Sequence, residues 1–278
     1  MIFIKSHGLG NDYLVAHDTP ALCAADAVAI CHRHTGAGSD GILEPVPAAA
    51  GADYGLRIWN PDGSLAEKSG NGLRIFARYL VDHRGAPRDF AVSVDAGTVR
   101  CTVDAEAITV EMGRATFAPA GIPSTQALLC TPVDVGGDTL PLTAVGVGNP
   151  HCVVFFPPET DLDALPWRRW GALLERHPLF PNRTNVQFAR RVDAQTVEIR
   201  IWERGAGETS ASGSSSCAVA AAAVRLGELA AGPLRITMPG GVLSVTVGEQ
   251  WALTLRGPVE EIGRVTLSER WLVARRRQ

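Results

Sequence analysis

The sequence predicts an α/β (α+β) protein of two pseudo-symmetric halves, and three observations carry that expectation. The triplet Arg-Ile-Trp occupies 57–59 and returns at 200–202, an offset of 143 in a chain of 278 residues. A Ser-Gly pair, Ser69-Gly70 or Ser212-Gly213, follows each Trp ten residues on. The segment GLGN at 8–11 is answered by GVGN at 146–149, an offset of 138. Self-similarity at half the chain length means two copies of one folding unit. Where both copies carry the same reactive spot, the simplest site is one cleft between them, with one group supplied from each side.

The elements follow in order. Residues 1–7 are strand-like, and each Gly-rich turn feeds an apolar run, 13–15 in the first half and 152–156 in the second. After each Ser-Gly comes a helical stretch. Residues 72–80 place apolar side chains three and four apart, whereas 217–224 are almost wholly small and apolar, as in a helix buried all round. Alternating segments then predict strands over 90–94 and 98–103, matched by 234–238 and 243–247. Asp95-Ala96-Gly97 and Pro239-Gly240-Gly241 are the turns between them. The Pro-rich stretch at 117–123 sets the expected boundary, giving halves 1–120 and 121–278, with the extreme C-terminal segment packing back on the first.

Composition narrows the function classes. Hydrophobic content of 46% with 20% charge suits a globular protein of two ordinary domains. A net charge of −3 gives no reason to expect nucleic acid or an anionic membrane as partner. The Arg-rich tail at 274–277 is short and reads as a solvated terminus. Residues 1–7 lack a signal-peptide layout, no apolar run approaches a bilayer span, and the six cysteines show no CxxC pair, so a cytoplasmic protein with reduced, mostly buried cysteines is expected. Lys5 and Lys68 are the only lysines, neither stands by a phosphate-cradling loop, and the seven histidines form no metal-ligand pair. Neither cofactor nor metal is therefore expected.

The Ser-Gly spots stand just before helices, where unpaired backbone N–H groups make a cradle for a carboxylate. Taken singly, Ser69 or Ser212 is most simply an N-cap. The flanking glycines, which let a ligand approach the backbone closely, and the recurrence of the whole spot favour a binding role.

Four segments carry a family resemblance: MIFIKSHGLGNDYLV at 1–15, VGNPHCVVF at 147–155, NRTNVQF at 182–188 and ERGAGET at 203–209. They resemble the diaminopimelate epimerase family over nearly the whole chain. The resemblance implies a fold in which each half wraps a mixed sheet around a central helix, and a two-base reaction without cofactor. In that reaction one cysteine thiolate removes the α-proton of an amino acid and a second cysteine returns a proton to the opposite face. A cysteine pKa near ~8.5, lowered by a helix N-terminus, suits the task.

This chain departs from the family at both bases. Ser69 and Ser212 occupy the two cysteine positions, and a hydroxyl is a far weaker acid than a thiol. Two explanations compete, deliberate replacement of the cysteines and natural divergence; Gly41, where the family usually has glutamine, and Ser215-Ser216, in place of a Gly-Ala pair, favour divergence. Lys68, beside Ser69, is expected to face solvent rather than activate its neighbour. The remaining roles carry over by resemblance. Asn11, Asn60, Asn149 and Asn185 match residues that hold the substrate's distal end and carboxylates, and Glu203 with Arg204 matches the pair that fixes the far polar group. Gly70, Asn71, Gly213 and Ser214 match the α-carboxylate cradles, and His151 a histidine that tunes the first base.

The implied activity is conversion of LL-diaminopimelate to the meso form, a precursor of lysine and peptidoglycan, with Ser69, Ser212, His151 and Glu203 as catalytic residues. The alternatives are a racemase, lyase or dehydratase for another amino acid, and an amino-acid-binding paralogue without catalysis. The expected partner is a small-molecule amino acid, and a homodimer is the assembly allowed for.

Overall fold

Residues 1–275 are described by a computed structural model; 276–278, with Arg276 and Arg277 of the basic tail, lie outside the described residues. The chain forms two compact units, Met1–Val110 joined by the segment from Pro258 onward, and Glu111–Gly257. In chain order the first contains β1 (Ile2–Gly8), β2 (Asn11–Asp18), α1 (Ala24–Cys31), β3 (Ile42–Val46), β4 (Tyr54–Trp59), α2 (Gly70–Arg84), β5 (Asp89–Val94), β6 (Gly97–Val103) and β7 (Ile108–Arg114), which runs across the division. The second contains β8 (Thr131–Val135), β9 (Asp138–Gly146), β10 (Pro150–Phe156), α3 (Trp167–Glu175), β11 (Asn185–Arg191), β12 (Thr196–Glu203) and β13 (Gly207–Thr209). It continues through α4 (Gly213–Leu226), β14 (Gly232–Met238), β15 (Gly241–Val247) and β16 (Ala252–Gly257). Finally β17 (Glu260–Thr266) and α5 (Glu269–Arg275) return to the first unit.

The division at Val110/Glu111 falls ahead of the 120/121 boundary expected from the Pro-rich stretch. Phe117 is already part of the second unit's packing, edge-on to Trp251 at 5.1 Å between ring centroids.

The duplication is written in the strand pairing. The order β17-β1-β2-β3-β4-β5-β6-β7 reads antiparallel, antiparallel, parallel, antiparallel, parallel, antiparallel, antiparallel. The order β8-β9-β10-β11-β12-β14-β15-β16 gives the same sequence of pairings. Both sheets are mixed, and each has one buried helix: α2 packs on β1, β2 and β6, and α4 on strands β9 to β12 and β14 to β16. In α4, Cys217 and the run of small side chains that follows it are fully buried, so strands approach it closely from all sides. Gly85 and Gly227 end the two helices at φ 66 and φ 75, the left-handed conformation glycine adopts without strain.

Separate apolar cores hold each unit. Phe3, Leu14, Ile30, Ile42 and Trp59 belong to the first, and Trp167, Trp170, Phe180, Val186 and Phe188 to the second. Full burial of such side chains stabilises by about 1.5–3 kcal/mol each. Four cysteines are buried, while Cys23 and Cys130 are exposed. Among the described residues no helix is long and apolar enough to cross a membrane, and no cluster of His, Cys, Asp or Glu is placed to hold a metal ion.

Candidate active site

The first unit builds its site on the start of α2. Ser69 is the N-cap, and its Oγ accepts the Gly72 N–H at 3.0 Å. The Tyr13 hydroxyl lies 3.2 Å from the same Oγ. Asn71, buried in the first turn, donates to Asn11 Oδ1 at 3.0 Å, and Asn11 donates onward to Asp40 Oδ2 at 2.9 Å. Arg33 bridges Asp40 and Asp12, and Lys5 pairs with Asp12 at 3.1 Å. Burial raises the Asp12 pKa, but the hydrogen bonds from Arg33 and Lys5 outweigh it and hold the carboxyl below its usual range. The two amides thus rest on a fixed, charged base that sets their orientation. Arg74, fully buried one turn into α2, donates to the Gly70 carbonyl at 3.2 Å.

The second unit repeats the helix start with a different support. Ser212 caps α4, accepting the Ser215 N–H at 3.5 Å, while the Ser216 hydroxyl donates to the Ser212 carbonyl at 2.8 Å. Beneath it, Gln187 donates to Ser215 Oγ at 2.9 Å and to His151 Nδ1 at 3.0 Å. His151 Nε2 completes the chain to Asn149 Oδ1 at 2.9 Å. Complete burial drives the His151 pKa down to about 3. The ring therefore stays neutral, one nitrogen donating to Asn149 and the other accepting from Gln187. It takes up no proton near neutral pH.

Helix geometry identifies the amides left for a ligand. The first three N–H groups of a helix have no intrahelical acceptor. Ser69 caps that of Gly72 and Ser212 that of Ser215, which leaves Gly70 and Asn71 in α2, Gly213 and Ser214 in α4. The same four residues are the ones the family resemblance suggests for an α-carboxylate, a role proposed below.

The other expected residues divide. Asn185 donates to the Pro150 carbonyl at 3.0 Å and accepts the Arg204 N–H at 3.0 Å, tying the start of β10 to the turn after β12. Glu203 accepts from Thr209 Oγ1 at 3.2 Å, and exposed Arg204 donates to the Asn182 carbonyl at 3.3 Å. Asn60 serves its own turn, donating to Ser64 Oγ at 3.0 Å. Lys68 is half-buried. Sequence reasoning missed Tyr13, Gln187 and Arg74 as site residues, although Tyr13 and Gln187 stand inside the segments that carry the resemblance. It treated Gly41 as a lost glutamine. In the structure a Cβ at Gly41 would lie 2.7 Å from Tyr13 Cε1 and 2.5 Å from the Trp59 carbonyl oxygen, so the position has room for glycine only.

Known proteins are similar to this chain over most of its length. The sequence profile of diaminopimelate epimerase matches residues 3–118 and 143–261. A relative named diaminopimelate epimerase 2, from Nostoc sp. strain PCC 7120, is 41% identical over 277 residues, covering 96% of each chain. A diaminopimelate epimerase from Synechococcus sp. strain JA-2-3B'a(2-13) is 40% identical over 255 residues, covering 87% of this chain and 89% of that one. Among solved structures, a probable proline racemase from Agrobacterium radiobacter K84 shares the fold with a TM-score of 0.71 at 16% identity, covering 96% of this chain and 93% of that chain. A hydroxyproline epimerase from Agrobacterium vitis does so with a TM-score of 0.70 at 16% identity, covering 96% and 90%. The fold, the repeated helix starts and these relatives define an isomerase of the epimerase and racemase class. Within that class, the chain belongs to the diaminopimelate epimerase family.

Proposed function

We propose that the protein is a cofactor-independent epimerase that converts LL-diaminopimelate to the meso form. Inversion at carbon needs one proton carrier for each face, and the proposal assigns Ser69 to one face and Ser212 to the other. The amides of Gly70, Asn71, Gly213 and Ser214 bind the α-carboxylate and hold the negative charge that develops as the α-proton leaves. Asn11, Asn60, Asn149 and Asn185, with Glu203 and Arg204, bind the distal amino-acid end and the carboxylates, and His151 is a neutral positioning residue. The observation that carries this reading is the matched pair of helix starts, each with a serine cap and two amides left over, in a chain 41% identical to a named diaminopimelate epimerase.

The test is incubation with LL- and meso-diaminopimelate, and with a panel of other amino acids, in deuterated water, reading α-deuterium by NMR. Exchange with inversion, confined to diaminopimelate, is the expected result. Exchange accompanied by loss of water would make the protein a lyase, inversion of another amino acid a racemase, and binding without exchange a non-catalytic binder.

A further inference from the structure

We propose that Tyr13 is the positioning residue for Ser69, and that its phenol and the Gly72 amide together stabilise negative charge on Ser69 Oγ. The inference builds on the assignment of Ser69 as a proton carrier. A serine hydroxyl has one proton to give and two lone pairs to receive. The Gly72 N–H fills one lone pair at 3.0 Å, and the Tyr13 hydroxyl, at 3.2 Å, lies within hydrogen-bond reach of the second. In the proposed arrangement the phenol donates and Ser69 Oγ accepts, because a phenol is a stronger acid than an aliphatic hydroxyl. What Ser69 can still present is its own O–H. When that bond breaks and a C–H bond forms at the α-carbanion, the charge left on Oγ meets two donors already in place. In the reverse direction Oγ takes the α-proton and the electron pair stays on carbon. Preorganised donors of this kind do what an oxyanion hole does for a developing alkoxide.

Tyr13 is well fixed for the task. It is 7% exposed, it follows the GLGN turn on β2, and the neighbouring Leu14 N–H donates to the Gly41 carbonyl at 3.1 Å. The bare Gly41 Cα is what gives the phenol ring its place, since a Cβ there would sit 2.7 Å from Cε1. The bare Cα of Gly41 thus leaves room for an aromatic hydroxyl beside the cap serine. Ser212 has a weaker arrangement, with one amide at 3.5 Å.

The experiment has two arms on the full chain. The first needs no substrate. A thiol is placed at the cap by Ser69→Cys, with and without Tyr13→Phe, and its alkylation by iodoacetamide at pH 7 is followed by peptide mass spectrometry. Loss of one of two donors to a charged atom is expected to slow alkylation about tenfold; equal rates would overturn the proposal. The second arm compares α-deuterium exchange in diaminopimelate by the unaltered protein and by Tyr13→Phe, with binding measured by calorimetry. A fall of at least about tenfold in exchange with unchanged affinity is expected, because the interaction strengthens only as charge develops. Equal loss of affinity and rate would mark Tyr13 as merely structural and overturn its role. Should the unaltered protein exchange nothing, the epimerase reading fails, and the alkylation arm still decides whether Tyr13 supports charge at position 69.

Discussion

Ser69 and Ser212 start their helices with nearly the same backbone, φ −136 and ψ 118 against φ −147 and ψ 125, yet their hydroxyls have different neighbours. Ser69 Oγ lies within 3.2 Å of a phenol and within 3.0 Å of an amide. Ser212 Oγ has one amide at 3.5 Å, and the polar support of its helix runs through Ser215, Gln187 and His151 instead. The difference separates what the duplication kept from what it released. The backbone features, a serine cap at the start and a left-handed glycine at the end of each helix, are retained in both units. The side chains around each hydroxyl set its proton chemistry, and those are free to differ.

Disrupting the second unit's support should have the largest effect on stability. His151→Ala removes a fully buried ring and leaves Asn149 and Gln187 each short of a partner; about 3–5 kcal/mol of stability should be lost, read by urea unfolding. The same residue gives a pH signature. Its folded pKa lies near 3, below the ordinary value of 6.5, so between these limits the unfolded chain binds a proton that the folded one refuses. Stability should therefore fall as pH drops from about 6.5 toward 3 and be unaffected by this group above that window, and the slope should shrink in His151→Gln.

Next in size, Gly41→Ala sharpens the first unit's side of the comparison. The added methyl meets the Trp59 carbonyl and the Tyr13 ring, and overpacking of this kind costs about 1–3 kcal/mol. Thermal unfolding checks it, and displacement of the phenol should lower exchange at the same time. The smallest effect compares the caps themselves. Ser69→Ala should cost about 1–2 kcal/mol and Ser212→Ala about 0.5, since the first cap bond is shorter by the difference between 3.0 and 3.5 Å. Equal costs would mean that the two hydroxyls are held alike.

Much of the fold was legible in the sequence because it repeats there. The Arg-Ile-Trp triplets lie at or within one residue of the ends of the corresponding strands β4 and β12, and the Ser-Gly pairs begin corresponding helices. Strands expected at 90–94, 98–103, 234–238 and 243–247 occur with β5, β6, β14 and β15. The turn signals and the period of apolar residues are local, and local signals survive in sequence. What escaped was lateral. Tyr13 and Ser69 are separated by 56 positions, and Gln187 and Ser215 by 28; no periodicity links such pairs. Gly41 shows the same limit, since a missing side chain says nothing of what fills its space.

The most direct measurement is α-deuterium incorporation into diaminopimelate by the unaltered protein and by the Ser69→Cys, Ser212→Cys double variant. If these two positions carry the α-proton, slow exchange with inversion becomes faster by about 10²–10⁴, the range that a well-matched acid and base contributes. Identical rates in the two proteins would show that neither cap serine reaches the reacting carbon.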